Sequence, residues 1–355
     1  MMIDHERFLA LRRFDSLDGL RAISVVAVVW QHTAAKSFAG TPLATIGGEG
    51  VTLFFAISGF LITTLLLRER DRHGAIDLRA FYLRRTLRIF PIYYSTLVAY
   101  VVLVWLLERN SEAGQEFFRN LPYFLTYTTN WFVELEGRTI FYFSWSLAAE
   151  EQFYLVWPPL LAWLATRKRA LAFIVVVVAV LVIHQLALSI TGDWQNGIKW
   201  MKRFPLAIVM GAGFALLVHE RTSFERLQPL FGNPLSSCMF AGMLAVSLIL
   251  PGTPTVVTHL ACVLLVVSVC IAEHHALHRL LTWLPLVYVG SISYGIYLLH
   301  MLSSNAANKI LVKVGLEPTW AASFFAALIT SVVVAGLSYR YFESPFLVLK
   351  KRFER

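Results

Sequence analysis

The sequence predicts an all-α, polytopic membrane protein of about ten transmembrane helices with both termini in the cytoplasm. Of its 355 residues, 57% are hydrophobic and only 15% are charged, against about 25% charged residues in an average soluble chain. Several apolar runs approach or exceed the ~18 residues that mark a spanning helix. They read near 20–35, 50–67, 90–107, 145–165, 170–190, 204–219, 235–251, 256–272, 283–302 and 320–340. Lys and Arg supply the orientation, because basic residues collect in cytoplasmic loops. The N-terminus, 68–88, 167–169, 219–228, 273–282 and the C-terminus hold 22 of the 31, and these segments are placed inside. Ten spans return the chain to its starting side.

The connections fit one membrane domain over residues 1–355, without repeats or low-complexity tracts. The first 19 residues are polar and lead straight into the first span, so no cleavable signal peptide is expected. Within 108–144, NLPYFLTYTTNWF is apolar but short. It reads as a re-entrant or outward-leaning segment, since a crossing here would invert every later span. Trp105, Trp131, Trp145, Trp163, Trp194, Trp283 and Trp320 fall near span ends, as an interfacial aromatic belt would. Cys238, Cys262 and Cys270 lie in apolar runs without a CxxC pair and read as small buried hydrophobes. The net charge of +9 is spread over short loops, which argues against a nucleic-acid partner.

Ionisable residues inside apolar runs carry the chemistry, because their cost there is repaid only by function or pairing. In LRAISVVAVVWQHTAA, Arg21 and His32 are eleven positions apart. An ideal helix advances about 1100° over that interval, only ~20° beyond three turns, so both share a face. They lie roughly 16 Å apart along the axis, with Arg21 at a rim and His32 about halfway through a ~30 Å hydrocarbon layer. In FYLRRTLRIFPIYY, Arg85 and Arg88 fall on one helical face, and their guanidinium forks match phosphate oxygens. Anchoring to anionic lipid is the alternative for that pair. Pro91 is expected to open the third span.

SWSLAAEEQFYLVWPP places Ser146, Glu150 and Tyr154 on one polar stripe, with Glu151 about 100° away. Glu150 suits a carboxylate that orients an imidazole, and pairing with an Arg is the alternative. SYGIYLLH aligns Ser293, Tyr297 and His300, where the histidine reads as interfacial rather than catalytic. His274 and His278 have a spacing that can bind metal, but no Cys or carboxylate cluster accompanies them, and no metal site is expected. Gly59 serves either helix packing or close ligand approach. Glu49 is expected to be solvated just outside the membrane.

LDGLRAISVVAVVWQHT, GGEGVTLFFAISGFLIT, LRRTLRIFPIYY, SWSLAAEEQFYLVWP, SYGIYLLH and YFESPF occur in the order found in membrane-bound acyltransferase family 3. The resemblance covers nearly the whole chain. It implies transfer of an acyl group, usually acetyl, from cytoplasmic acyl-coenzyme A to hydroxyls of sugars or other acceptors. It also implies an essential pair at Arg21 and His32, an RxxR at Arg85 and Arg88, and the acidic Glu150. Thr52 stands where many relatives have Asp, and Ser344 where many have Arg. Some relatives carry an extra soluble hydrolase-like domain, which is not expected here.

The combined reading is an acyl-coenzyme A-dependent O-acyltransferase of the bacterial inner membrane acting on a carbohydrate or glycosylated acceptor at the outer face. Acyl-coenzyme A, most simply acetyl-coenzyme A, is the expected co-substrate, held by Arg21, Arg85 and Arg88. His32 would act as general base or carry the acyl group. Glu150 would orient it, and Tyr154 or Ser146 would donate to the developing oxyanion. The competing reading is a proton-coupled transporter or flippase of a glycan precursor with His32 and Glu150 as a relay. Such folds show paired halves, and no internal symmetry is visible here.

Overall fold

A computed structural model describes residues 4–11, 13–44, 46–134, 138–191, 203–272 and 274–353. Trp194 lies outside the described residues. Among them the regular structure is entirely helical. We number the helices α1 (His5–Ala10), α2 (Ser16–Thr33), α3 (Ile46–His73), α4 (Leu78–Leu107), α5 (Glu112–Leu125), α6 (Thr129–Phe132), α7 (Ser144–Trp163) and α8 (Arg167–Thr191). After these come α9 (Leu206–Val218), α10 (Arg221–Phe231), α11 (Ser236–Ile249), α12 (Thr255–Ile271), α13 (His278–Leu281), α14 (Leu284–Ser291), α15 (Ser293–Lys313), α16 (Trp320–Ser338) and α17 (Ser344–Lys351). A π-turn, Tyr339–Glu343, joins the last two.

Each of the ten expected segments falls on a helix. Four helical runs are long and apolar enough to cross a membrane: Ile46–His73, Leu78–Leu107, Arg167–Ala187 and Trp320–Lys351. Two bent pairs, α10 with α11 at 74° and α14 with α15 at 77°, raise the candidates to six if each pair is one span. The expected straight span at 283–302 is therefore broken. Gly290 lies so close to α2 that a Cβ there would fall 1.8 Å from the Asp18 carbonyl oxygen. That contact fixes the end of α14 against α2, and α15 leaves in a new direction.

The inner loop expected at 68–88 is mostly helix. α3 has 28 residues and α4 has 30, so each runs to about 42–45 Å, well beyond a ~30 Å hydrocarbon layer. Only 74–77 lie between them. Gly74 takes φ +77°, which costs glycine little, and the Asp77 side chain accepts from the Ala80 amide at 2.9 Å to start α4. Pro91 consequently stands inside α4 and does not open it.

α3 is the central helix, packed on α2, α9 and α12. Gly59 serves packing: a Cβ there would lie 1.9 Å from the Ile208 carbonyl oxygen of α9. One buried cluster joins Phe8, Phe14, Leu53, Phe60, Ile208, Phe224 and Val266 beneath it. A second gathers Tyr93, Tyr100, Phe124, Phe141, Phe143 and Tyr297 around α4, α5 and α15.

Residues 112–132 form α5 and α6, which pack on α4 and on α7 respectively. Tyr93 and Tyr94, midway along α4, donate their hydroxyls to the Phe124 carbonyl at 2.7 Å and the Leu125 carbonyl at 3.0 Å. Two expectations about individual residues need correcting. Cys238 is exposed on α11 and not buried. Glu49 is half-buried in the first turn of α3, with Oε2 fully enclosed, and is not a solvated loop residue.

Candidate active site

The overhang of α3 and α4 builds a basic vestibule. A cavity of about 630 Å³ is lined by Arg68, Glu69, Arg72, His73, Arg84, Arg85, Arg88 and Lys350, with apolar residues of α3 beneath. Some of this charge is committed. Arg68 donates to the Phe8 and Leu11 carbonyls at 2.6 Å each, which ties the N-terminal segment to α3. Arg84 pairs with Glu69 at 3.1 Å and donates to the Phe353 carbonyl at 2.8 Å. Arg85 and Arg88 form no ion pair among the described residues.

Both arginines also line a smaller cavity of about 90 Å³ between α2, α3, α4, α7 and α15. Its walls include Arg21, Ser58, Ser146, Glu150, Tyr154, Ser293, Tyr294 and Tyr297. Six of the seven residues singled out from the sequence thus meet on one cavity. Arg21 is held by Asp18 at 2.7 Å, an acidic partner that also receives a bond from Arg13. The Arg85 guanidinium lies 5.0 Å from the Tyr154 ring centroid, an attractive arrangement for a cation on an aromatic face. Glu150 accepts hydrogen bonds from the Ser58 and Tyr154 hydroxyls. Ser146 bonds the Tyr297 hydroxyl at 2.5 Å, and Tyr297 also donates to the Phe143 carbonyl at 3.1 Å. Ser146 and Tyr297 line the cavity together with the arginines.

His32 is not on this wall. α2 ends at Thr33, so His32 sits in its last turn. Its Nδ1 is 2.6 Å from the Tyr142 hydroxyl, and its ring lies 4.9 Å from that of His300. The expected Glu150–His32 contact is absent. The carboxylate is used within its own cavity, by Tyr154 one turn along α7 and by Ser58. Tyr154 donates its hydroxyl to Glu150, and Ser146 shares a bond with the Tyr297 hydroxyl.

Sequence reasoning passed over Asp18, Ser58 and Tyr142, and read His300 as interfacial. Only Asp18 carried a visible signal, standing three residues from Arg21 on a helical face. Tyr142 owes its aim to the backbone before it. Phe141 takes φ +63°, a conformation that costs a bulky residue about 1–3 kcal/mol and persists only when packing enforces it. Phe141 is 2% exposed and packed among Tyr93, Tyr100, Phe124 and Phe143, which hold the turn. Elsewhere, His274 and His278 stand ring to ring at 5.7 Å. Among the described residues no group of three His, Cys, Asp or Glu is arranged to hold a metal ion.

Residues 14–340 match a family model described as an acyltransferase domain. Among curated proteins the chain is similar to the peptidoglycan O-acetyltransferase OatA of Listeria monocytogenes, 26% identical over 93% of this chain and 55% of that protein. It is 27% identical to the putative peptidoglycan O-acetyltransferase YrhL of Bacillus subtilis, over 94% of this chain and 55% of the relative. A putative O-acetyltransferase of Staphylococcus aureus is 26% identical over 96% of this chain and 58% of its own length. The chain thus spans a little over half the length of these relatives. No solved structure matches it. The shared region takes in α2, the α3–α4 overhang, the Glu150 helix and the His300 helix alike, and the chain belongs to the membrane-bound acyltransferase family 3.

Proposed function

We propose that this chain transfers an acyl group, most simply acetyl, from cytoplasmic acyl-coenzyme A to a hydroxyl of a carbohydrate acceptor at the outer face of a bacterial inner membrane. The observation that carries the reading is that Arg85 and Arg88 line both the basic vestibule and the small polar cavity. A basic vestibule suits the phosphates of the nucleotide, and a narrow, polar-lined cavity suits the pantetheine arm. Charge-assisted bonds from arginine forks are the strong contacts for such groups. In a ten-span arrangement with the basic loops inside, the α3–α4 overhang would lie on the cytoplasmic side, which supports a cytoplasmic donor at the vestibule. The relatives named for peptidoglycan support a glycan acceptor.

In this reading Arg88, Arg85 and Arg21 hold the donor, and the thioester passes the Ser146–Tyr297 pair to reach His32. His32 takes the proton of the acceptor hydroxyl as that oxygen attacks the thioester carbon. A positioned base of this kind contributes about 10²–10⁴-fold. The test is donor binding and acyl transfer measured on the same purified His32→Ala protein. Binding should persist, because the proposed phosphate contacts lie three turns away, while transfer falls by at least ~10²-fold. Normal turnover would remove His32 from the chemistry. Loss of donor binding would make it a binding residue.

A further inference from the structure

His300 is 1% exposed, and its two nitrogens have different fates. Nδ1 lies 2.5 Å from the Tyr297 carbonyl oxygen. A carbonyl only accepts, so Nδ1 carries a hydrogen, and in the neutral ring Nε2 is left as a lone pair. That Nε2 is buried with no hydrogen-bond partner. An orphaned buried acceptor costs about 1–3 kcal/mol and calls for an explanation in function. The surroundings offer mostly apolar rings: Phe143 at 5.2 Å and Tyr297 at 5.7 Å between centroids. The exception is His32 at 4.9 Å, inclined by 33°. An N–H···N bond between two imidazoles puts their centroids about 5 Å apart, a bond of roughly 2.9 Å plus one ring radius at each end. To make that bond the half-buried His32 ring, whose Nε2 lies 3.5 Å from the Tyr142 hydroxyl, must turn towards His300.

We propose that His300 is the positioning partner of His32, accepting the His32 Nε2–H at its own free Nε2 and leaving His32 Nδ1 as the base. This rests on the proposed function and assigns to His300 the role expected of Glu150. The Tyr142 hydroxyl, 2.6 Å from His32 Nδ1, then marks where the acceptor hydroxyl stands. In the transfer the acceptor O–H bond breaks and its proton goes to His32 Nδ1. The oxygen's electron pair forms the bond to the thioester carbon. The C–S bond breaks, sulfur leaves with its pair and takes the proton from Nδ1. His300 keeps one proton throughout and stabilises the His32 imidazolium that forms between these events.

The test compares His300→Phe, His300→Gln and His300→Asn with His32→Ala. The assay uses inverted membrane vesicles fed radiolabelled acetyl-coenzyme A, reading alkali-labile O-acetyl ester and donor affinity. Gln reaches the Nε2 position with an acceptor oxygen, Asn reaches only the Nδ1 position, and Phe keeps the shape without either group. His300→Phe should lower the transfer rate by roughly ten- to a hundredfold, the worth of a hydrogen bond to a charged group, with donor affinity unchanged. His300→Gln should recover much of that loss and outpace His300→Asn. A packing role predicts the reverse order, with Phe or Asn ahead of Gln, and that order would overturn the proposal even if one variant failed to fold. In a His32→Ala background the His300 changes should cost nothing more. If His32→Ala itself transfers normally, the functional reading fails. An inactive His32→Ala beside fully active His300 variants sinks the His300 assignment alone.

Discussion

Asp18 sets how strongly Arg21 can hold an anion. Its carboxylate is already shared between Arg13 and Arg21, so a phosphate arriving at Arg21 meets a half-neutralised charge. Arg88 has no such partner among the described residues and should contribute more. Arg88→Ala is expected to weaken acyl-coenzyme A binding by roughly ten- to a hundredfold, as titration calorimetry on purified protein would measure. Arg21→Ala should cost less than this. Arg88→Lys should recover only a fraction of the loss, because a point charge lacks the planar fork. Equal affinity in Arg88→Ala and the unsubstituted protein would return this arginine to anchoring the helix at a lipid surface. Helical register alone makes Arg21, Arg85, Arg88, Ser146, Glu150 and Tyr154 legible as candidates in the sequence. Their partners are not legible there. Ser58 meets Glu150 across 92 positions, Tyr142 meets His32 across 110 and Tyr297 meets Ser146 across 151. Periodicity within one helix carries no information about which other helix will face it.

At the scale of elements, each of the ten apolar runs falls on a helix, but short helices such as α1, α5 and α10 lie outside them, and the runs do not tell where helices bend or how far they overhang. The bend between α14 and α15 is imposed by α2, whose Asp18 backbone occupies the space a side chain at Gly290 would need. The α3–α4 overhang is built from charged residues that a hydropathy reading assigns to a loop. The α12–α13 connection behaves as a third kind of junction, held by a histidine. His275 is 3% exposed and its Nε2 lies 2.9 Å from the Ser16 hydroxyl at the start of α2. Burial, then His278 and His274, push its pKa down to about 4 from 6.5. The folded state therefore binds this proton more weakly than the unfolded chain, and stability falls as pH drops through the window from about 6.5 to about 4. Above that window the contribution is complete. Melting temperatures of detergent-solubilised protein should decline across it, and His275→Gln, which cannot titrate, should flatten the decline. An unchanged profile would mean that other groups set the acid sensitivity.

For the molecule as a whole, orientation is the property on which the functional reading most depends. Single cysteines at Lys168 and Lys351 should be labelled only from the cytoplasmic side, and one at Glu112 only from outside. The background must first lose Cys238, which is exposed on α11. Labelling of Lys168 from outside intact cells would overturn the ten-span arrangement and move the basic vestibule away from the donor. The membrane-protein class and the family are readable because they rest on composition and on motif order along the whole chain. The number of crossings is less so, since α9 and α12 are short and two pairs are bent.

The hydroxyl pair in the small cavity bears on permeability. On the proposed function, a chain that takes a charged, water-soluble donor from one side and serves a glycan on the other would risk becoming a leak. Ser146 and Tyr297 meet at 2.5 Å with both hydroxyls engaged and both residues buried, and the rings of Phe143 and His300 stand behind them. Both hydroxyls line the small cavity, and His32 does not. If the donor arm is to pass this point, as the proposed function requires, the Ser146–Tyr297 bond and the Tyr297 bond to the Phe143 carbonyl must open together, so the hydroxyl pair would also limit leakage of ions along the same path.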